Sequence, residues 1–109
     1  MTQAPVDNSF TFVIRSDHPA LPGHFPGLPI VPGVLVLDRV LQGVEARVQR
    51  AVVTLRQIKF ASALLPEETA QVSFDVHDDQ LKFEVRVQRE QASVVLASGT
   101  LLLDAKASR

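Results

Sequence analysis

The chain of 109 residues contains no cysteine, no tryptophan and no tyrosine. Without cysteine it forms neither a disulfide nor a thiolate metal site. Its 11 basic and 12 acidic residues give a net charge of −1, so it lacks the basic face that nucleic-acid binding needs. The absence of tryptophan and tyrosine also argues against stacking on bases. These absences exclude a disulfide scaffold and disfavour a nucleic-acid-binding protein.

Long apolar runs are also absent. No uninterrupted apolar run exceeds four residues, far short of the roughly 20 that span a bilayer. The N-terminal residues have neither the basic nor the apolar region of a signal peptide. We therefore expect a cytoplasmic protein with a single domain over residues 1–109, in which residues 1–8 and 104–109 are loose.

The remaining pattern predicts mainly β structure. Five stretches are rich in β-branched residues or alternate apolar with polar ones: residues 10–14, 47–60, 72–76, 81–87 and 93–103. Residues 77–80 are predicted to form a tight turn. Residues 16–32 hold five of the seven prolines and are predicted to be irregular but stiff. Short connections favour antiparallel pairing. The order predicts an α+β domain with an antiparallel sheet of about five strands around one central helix.

The predicted helix runs from Gly33 to about Glu45. The spacing of Val34, Leu37, Leu41 and Val44 places them on one face, and Val36 and Val40 cover a neighbouring stripe. Apolar coverage this wide is typical of a helix that is mostly surrounded by protein. We expect Gly33 to mark the start of the helix and Gly43 to loosen its end.

Asp38 is a carboxylate in the middle of this apolar helix. Its spacing from Val34 and Leu41 places it on their face. Burial among aliphatic side chains would raise its pKa and make it a possible proton donor. The alternative is an acid at the edge of the helix, exposed or paired with Arg39 or Arg47.

His24 and Gly33 are the other candidates for chemistry. A neutral imidazole is a natural general base near pH 7, although a surface loop histidine, as expected for His18 and His77, is the alternative. A zinc site formed by His18, His24 and an acid has no supporting ligand spacing. An unsatisfied amide at Gly33 could hold an oxyanion, and the alternative is a plain glycine at the start of a helix.

The 15 residues from His24 to Asp38 read HFPGLPIVPGVLVLD. They resemble the signature HFPGxPxxPGxLxxE/D of the 3-hydroxyacyl-[acyl-carrier-protein] dehydratases of the hot-dog fold. Gln42, and Lys59-Phe60 followed by Pro66, match further features of that family. The resemblance implies an antiparallel sheet wrapped around a central helix. It also implies homodimers, or assemblies of dimers, in which the histidine of one subunit meets the acid of the other.

The resemblance assigns a role to each residue of the motif. His24 would abstract the C2 proton of a 3-hydroxyacyl thioester, Asp38 would help the C3 hydroxyl leave as water, and the Gly33 amide would hold the thioester carbonyl. Phe25, Val34 and Gln42 are expected to contact the substrate. No metal or redox cofactor is expected, because the acyl chain is carried on the phosphopantetheine arm of an acyl carrier protein. The product, a trans-2-enoyl thioester, would belong to fatty-acid, polyene or related lipid biosynthesis.

Two departures from the family pattern keep other functions open. The acid is Asp38 where the more common subgroup has Glu, and Arg39 follows it where small apolar residues are usual. The alternatives are a hot-dog acyl thioesterase and a non-catalytic partner that binds the acyl carrier. An acidic carrier predicts a basic patch, and four residues of the second strand region are candidates: Arg47, Arg50, Arg56 and Lys59. Three apolar side chains could shape the depth of the pocket: Phe60, Leu64 and Leu65.

Overall fold

The computed structural model describes residues 8–19, 21 and 30–104. Within these residues, five strands form one antiparallel sheet in the order β1-β3-β4-β5-β2, and one helix follows the first strand. This arrangement confirms the predicted α+β class and the hot-dog fold. The elements are β1 (Ser9–Val13), α1 (Gly33–Val48), β2 (Val52–Phe60), β3 (Thr69–His77), β4 (Gln80–Arg89) and β5 (Ala92–Leu103).

The hydrophobic core lies between α1 and one face of the sheet. Alternate side chains of β4 are buried and those between them are more exposed, as the period of two predicts. The buried side chains of α1 are Val36, Val40 and Val44. Val34, predicted to share the main apolar face, is 76% exposed, so that assignment is wrong. Apolar residues surround much of this helix, and spacing alone did not show which stripe the sheet covers.

The helix is longer than predicted. It continues through Gly43 to Val48. It then closes with Gln49 in the left-handed conformation, whose N–H donates to the Glu45 carbonyl at 2.9 Å. The expectation that Gly43 loosens the end of the helix is therefore wrong.

Gly43 instead makes room for the first strand. A Cβ at this position would overlap the ring of Phe10, which is half-buried against the helix. The same ring lies 4.5 Å from the guanidinium carbon of Arg47 and 6.4 Å, between ring centroids, from Phe74. The glycine thus lets β1 pack closely on α1, which outweighs its low helix propensity.

The remaining boundaries differ little from the predictions. Residues 47–48 belong to the helix rather than to the second strand, and β2 carries a bulge at Gln57, where φ is 54°. The tight turn is confirmed, because His77 and Gln80 pair across it. Two residues expected to be loose are bonded into the fold: Phe74 donates its N–H to the Asn8 carbonyl, and Asp104 donates its N–H to the Ala51 carbonyl. The other terminal residues lie outside the described ranges.

One arginine closes the end of the domain where three chain segments meet. The side chain of Arg50, just after α1, is only 12% exposed. It donates to the Asp104 carbonyl at 2.7 and 2.9 Å and to the Asp78 carbonyl at 3.0 Å, and it pairs with the Asp79 carboxylate. The helix is thereby fixed to the β3–β4 turn and to the end of β5.

Within the described residues, no helix has the length and apolarity that crossing a bilayer requires.

We expect Arg50→Met to lower the free energy of unfolding by about 2–3 kcal/mol, because it leaves two carbonyls and a carboxylate without their charged donor. Arg56→Met, which removes an exposed arginine from β2, is the matched control and should change stability by less than about 0.5 kcal/mol. Urea unfolding of both variants measures the difference. Equal stability of the two variants would contradict the role assigned to Arg50.

Candidate active site

An apolar pocket opens beside the first turn of α1. Its volume is about 440 Å³, within the usual range for a site that holds a small ligand. Gly33 and Val36 form the helical side, and Phe60 contributes an aromatic ring from the end of β2. The rest of the wall comes from residues 30–32, residues 61–64 and two residues of β5, Leu96 and Ala97. Such a lining suits an acyl chain better than a polar ligand.

Gly33 is the first residue of α1, as predicted. A Cβ at Gly33 would lie 3.1 Å from the ring of Phe60, so glycine allows this close approach. No side chain of the described residues caps the helix, and its first hydrogen bond runs from the Leu35 N–H to the Pro32 carbonyl at 3.0 Å. The preceding amides, of Gly33 and Val34, find no acceptor among the described residues. At the positive end of the helix dipole, such donors can stabilise a carbonyl oxygen that gains negative charge.

Asp38 lies on the exposed face of the helix, one turn after Val34 and one turn before Gln42. Its Oδ2 accepts a hydrogen bond from Gln42 Nε2 at 2.8 Å. The predicted burial of Asp38 is therefore wrong for a single chain, because the sheet covers the opposite side of α1. The alternative of an exposed acid is correct, but the side chain that orients it is Gln42 rather than Arg39 or Arg47.

The structure brings only part of the predicted site together. Gly33 lines the pocket, whereas Asp38 and Val34 lie on another face of the helix and do not line it. His24 and Phe25 lie outside the described residues. Of the three residues expected to shape the pocket, Phe60 and Leu64 line it and Leu65 does not.

Metal binding has no support in the described part of the chain. No group of three histidine or acidic side chains there has the geometry to hold an ion. His77 ends β3, where it is exposed and pairs with Gln80. His18 lies in a turn after β1, where its N–H donates to the Arg15 carbonyl at 3.0 Å.

The wall formed by residues 61–64 belongs to a connector, residues 61–68, between β2 and β3. Arg89, at the end of β4, binds it with a two-pronged ion pair to Glu68, at 2.7 Å from Nε and 2.6 Å from an Nη. The same guanidinium donates to the Ala63 carbonyl at 2.7 Å. The Glu68 carboxylate also accepts the Leu65 N–H at 2.9 Å. The sequence showed only an acidic pair in a loop and gave no sign of this partner.

Both acids of the connector remain charged near neutral pH. The hydrogen bond from Arg89 lowers the pKa of Glu68 below its ordinary value of 4.5, and raises the pKa of Arg89. The N–H of Ser16, which donates to Glu67 at 2.7 Å, lowers the pKa of Glu67. The pKa of each acid is lower in the folded chain than in the unfolded chain. The stabilisation from these carboxylates is therefore present above about pH 4.5 and is lost as the pH falls through their folded-state pKa values.

The four basic candidates divide into two groups. Arg50 is engaged inside the fold with the Asp78–Asp79 turn, whereas Arg47 is exposed and lies over the ring of Phe10. Arg56 and Lys59 are exposed on β2. Thr100 of β5 is in register with Arg56 of β2 on one side and with Lys82 of β4 on the other. Arg56 and Lys82 therefore flank Thr100 across the sheet.

The family model of the ApeI-like dehydratases, described as ApeI dehydratase, matches residues 2–100. The chain belongs to the ApeI-like dehydratase family. It is also similar to the 3-hydroxyacyl-[acyl-carrier-protein] dehydratase FabZ of Pelotomaculum thermopropionicum, with 32% identity over 87 residues, which cover 79% of this chain and 60% of that protein. The chain thus spans about 60% of the length of the curated relatives that it matches.

Solved structures share the fold. An uncharacterized protein from Erwinia carotovora subsp. atroseptica aligns with a TM-score of 0.78 and 24% identity, over 89% of this chain and 82% of that chain. The dehydratase heterocomplex ApeI:P from Xenorhabdus doucetiae aligns with a TM-score of 0.68 and 20% identity, over 87% and 84%. At these identities the comparison shows the shared sheet and helix and nothing finer.

Proposed function

We propose that the protein dehydrates a 3-hydroxyacyl thioester, carried on acyl carrier protein, to a trans-2-enoyl thioester. The observation that carries this proposal is that the dehydratase signature from His24 to Asp38 contains Gly33, which lines the apolar pocket at the start of α1. The match to the ApeI-like dehydratases over residues 2–100 supports it. A pocket of this lining can take the acyl chain, while the open amides at its rim can take the thioester carbonyl.

The proposed reaction uses one base, one acid and one amide. The imidazole of His24 takes the proton from C2, and the electron pair of that bond moves toward the thioester carbonyl. The Gly33 amide stabilises the negative charge that develops on the carbonyl oxygen. The C2–C3 double bond forms as the C3–O bond breaks, and protonated Asp38 gives its proton to the departing hydroxyl, which leaves as water.

We also propose that a second copy of the chain completes the site. Asp38 lies on a helix face that the sheet leaves open, and its neighbour Val34 is 76% exposed. β2 is an edge strand, and it exposes three large apolar side chains, Val53 at 61%, Phe60 at 52% and Leu55 at 43%. An open edge with exposed apolar residues is suited to pairing with another strand. The partner would cover the open helix face and bring its own His24 to Asp38.

A second candidate is a pairing with a different dehydratase chain. The ApeI:P structure, which shares this fold, is a heterocomplex. In that case this chain would contribute one acid or one histidine to a mixed site, or none. The mass of the purified assembly separates a homodimer from an assembly that needs another chain.

We expect His24→Ala and Asp38→Asn each to lower the rate of enoyl thioester formation by about 10²- to 10⁴-fold, because each removes a proton-transfer group. Mass spectrometry of the carrier-bound acyl group measures the product. The bell-shaped pH profile of the wild type should lose one limb in each variant. The matched controls are His77→Ala and Asp75→Asn, which change exposed residues of β3 outside the pocket.

Full activity in His24→Ala or Asp38→Asn would remove that residue from the mechanism. Release of free acid from a plain acyl thioester, with no enoyl product, would support the thioesterase alternative. Binding of acyl carrier substrates without turnover would support the non-catalytic alternative.

The carrier protein is proposed to bind the exposed cations of β2. Acyl carrier proteins are acidic, and Arg56 and Lys59 are two candidates that the fold leaves exposed on β2. Arg50 is not assigned this role because its guanidinium group binds inside the domain, and Arg47, although exposed, donates to the Gly43 carbonyl and lies over the Phe10 ring.

We expect the double variant Arg56→Ala/Lys59→Ala to raise KM for the carrier-bound substrate about tenfold and to leave kcat unchanged, because surface charges act mainly on encounter. The effect should shrink as salt rises. Arg86→Ala, which removes a cation from β4, is the control for charge alone. A KM increase of the same size with a pantetheine thioester, which has no carrier protein, would contradict this docking site.

A further inference from the structure

The structure assigns a positioning role to Glu68 and Arg89, two residues that lie outside the sequence motif from His24 to Asp38. We propose that this ion pair fixes the connector 61–68 as one wall of the acyl pocket, and so sets how tightly the acyl chain binds. The inference rests on the proposed function for the identity of the ligand. Neither side chain lines the pocket, so both act through the backbone that they hold.

The contacts of the pair converge on the backbone of the connector. Arg89 reaches the carbonyl of Ala63, a lining residue, at 2.7 Å. Glu68 accepts the N–H of Leu65, which follows the last lining residue of the wall, at 2.9 Å. The side chains of the pair are only 29% and 21% exposed, for Arg89 and Glu68, so water screens this interaction less than it screens a surface pair. The pair therefore holds the wall at two successive peptide groups.

The connector is also bonded to the other walls of the pocket. The Leu64 carbonyl accepts the N–H of Val31 at 2.8 Å, two residues before α1 begins. The N–H of Ala61 donates to the Leu96 carbonyl of β5 at 2.7 Å. The connector is thus bonded both to β5 and to the segment that leads into the helix.

A third attachment joins the connector to the end of β1. Glu67 donates its N–H to the Ile14 carbonyl at 2.8 Å, and its carboxylate accepts the N–H of Ser16 at 2.7 Å. In the sequence, Ser16 and Val31 stand on either side of the segment 19–29, which holds four of the seven prolines. The connector is therefore bonded to the chain on both sides of that segment, and Arg89 fixes the connector to the sheet.

These contacts predict a change in binding rather than in chemistry. Loss of the pair frees the wall but leaves His24, Asp38 and the Gly33 amide in the chain. KM for a long acyl chain should therefore rise more than KM for a short one, because only the long chain depends on the full pocket wall. A pair that merely stabilised the fold would affect both substrates alike.

The first measurement compares Arg89→Met and Glu68→Gln with Arg86→Met. Arg86 is the matched control, because it lies on the same strand and pairs with Glu84 at 2.8 Å, but does not touch the connector. Each variant is assayed with four-carbon and ten-carbon 3-hydroxyacyl carrier substrates. The expected result is a rise of about tenfold in KM for the ten-carbon substrate, with kcat within about twofold, in the first two variants only. Arg89→Lys, which keeps the charge but loses the fork, should give an intermediate rise.

The second measurement does not depend on the activity of the protein. Amide hydrogen exchange should accelerate about tenfold at Leu65 and Val31 in Arg89→Met and Glu68→Gln, while the amide of Val85, in the middle of β4, stays protected. Unchanged exchange at Leu65 and Val31 would overturn the proposal, even if the protein proved not to be a dehydratase. In an active enzyme, faster exchange at these amides without the rise in KM would also overturn the proposal. So would an Arg86→Met variant whose exchange rates and KM change as much as those of the other two variants.

Discussion

One helix can bury only one side against a five-stranded sheet, and this limit governs the arrangement of the site. Val36, Val40 and Val44 occupy the buried side, so Asp38 necessarily falls on the open side, about 100° or more around the helix. Gly33 lies at the pocket and Asp38 does not. Asp38 and the pocket therefore lie on different faces of α1. The proposed second copy of the chain would cover the open face, so that Asp38 and a pocket could act on the same substrate.

The pocket itself depends on polar contacts that lie behind it. The side chains that line it are mostly apolar and make few directional bonds, so backbone hydrogen bonds of the lining residues Val31 and Ala61 fix its edges. The charged pair of Glu68 and Arg89 fixes the wall between them. Glu68 and Arg89 lie outside the lining. Under the proposed function, they could therefore change the affinity for the acyl chain without a change in the residues proposed to move protons.

Much of the fold follows from local sequence pattern. The alternation in β4 and the turn after His77 were predictable because side chains of a half-buried strand must alternate. The role of Gly43 was not predictable, because it depends on a ring of Phe10 from a distant strand. The exposure of Asp38 also required the structure, since aliphatic residues surround the helix. The partnership of Glu68 with Arg89 spans 21 residues and has no spacing rule that could reveal it. The local pattern singles out His24 and Asp38 as candidates, and the resemblance to a family motif supplies the roles proposed for them.

The central claim is that His24 of one chain and Asp38 of another serve the same substrate. The most direct test is the dehydratase activity of a mixture of the His24→Ala and Asp38→Asn proteins, unfolded and refolded together. Random pairing makes half of the dimers mixed, and each mixed dimer has one intact site of two, so the mixture should recover about a quarter of the wild-type activity. No recovery, in a mixture shown by mass spectrometry of differently tagged chains to contain mixed dimers, would contradict the shared site.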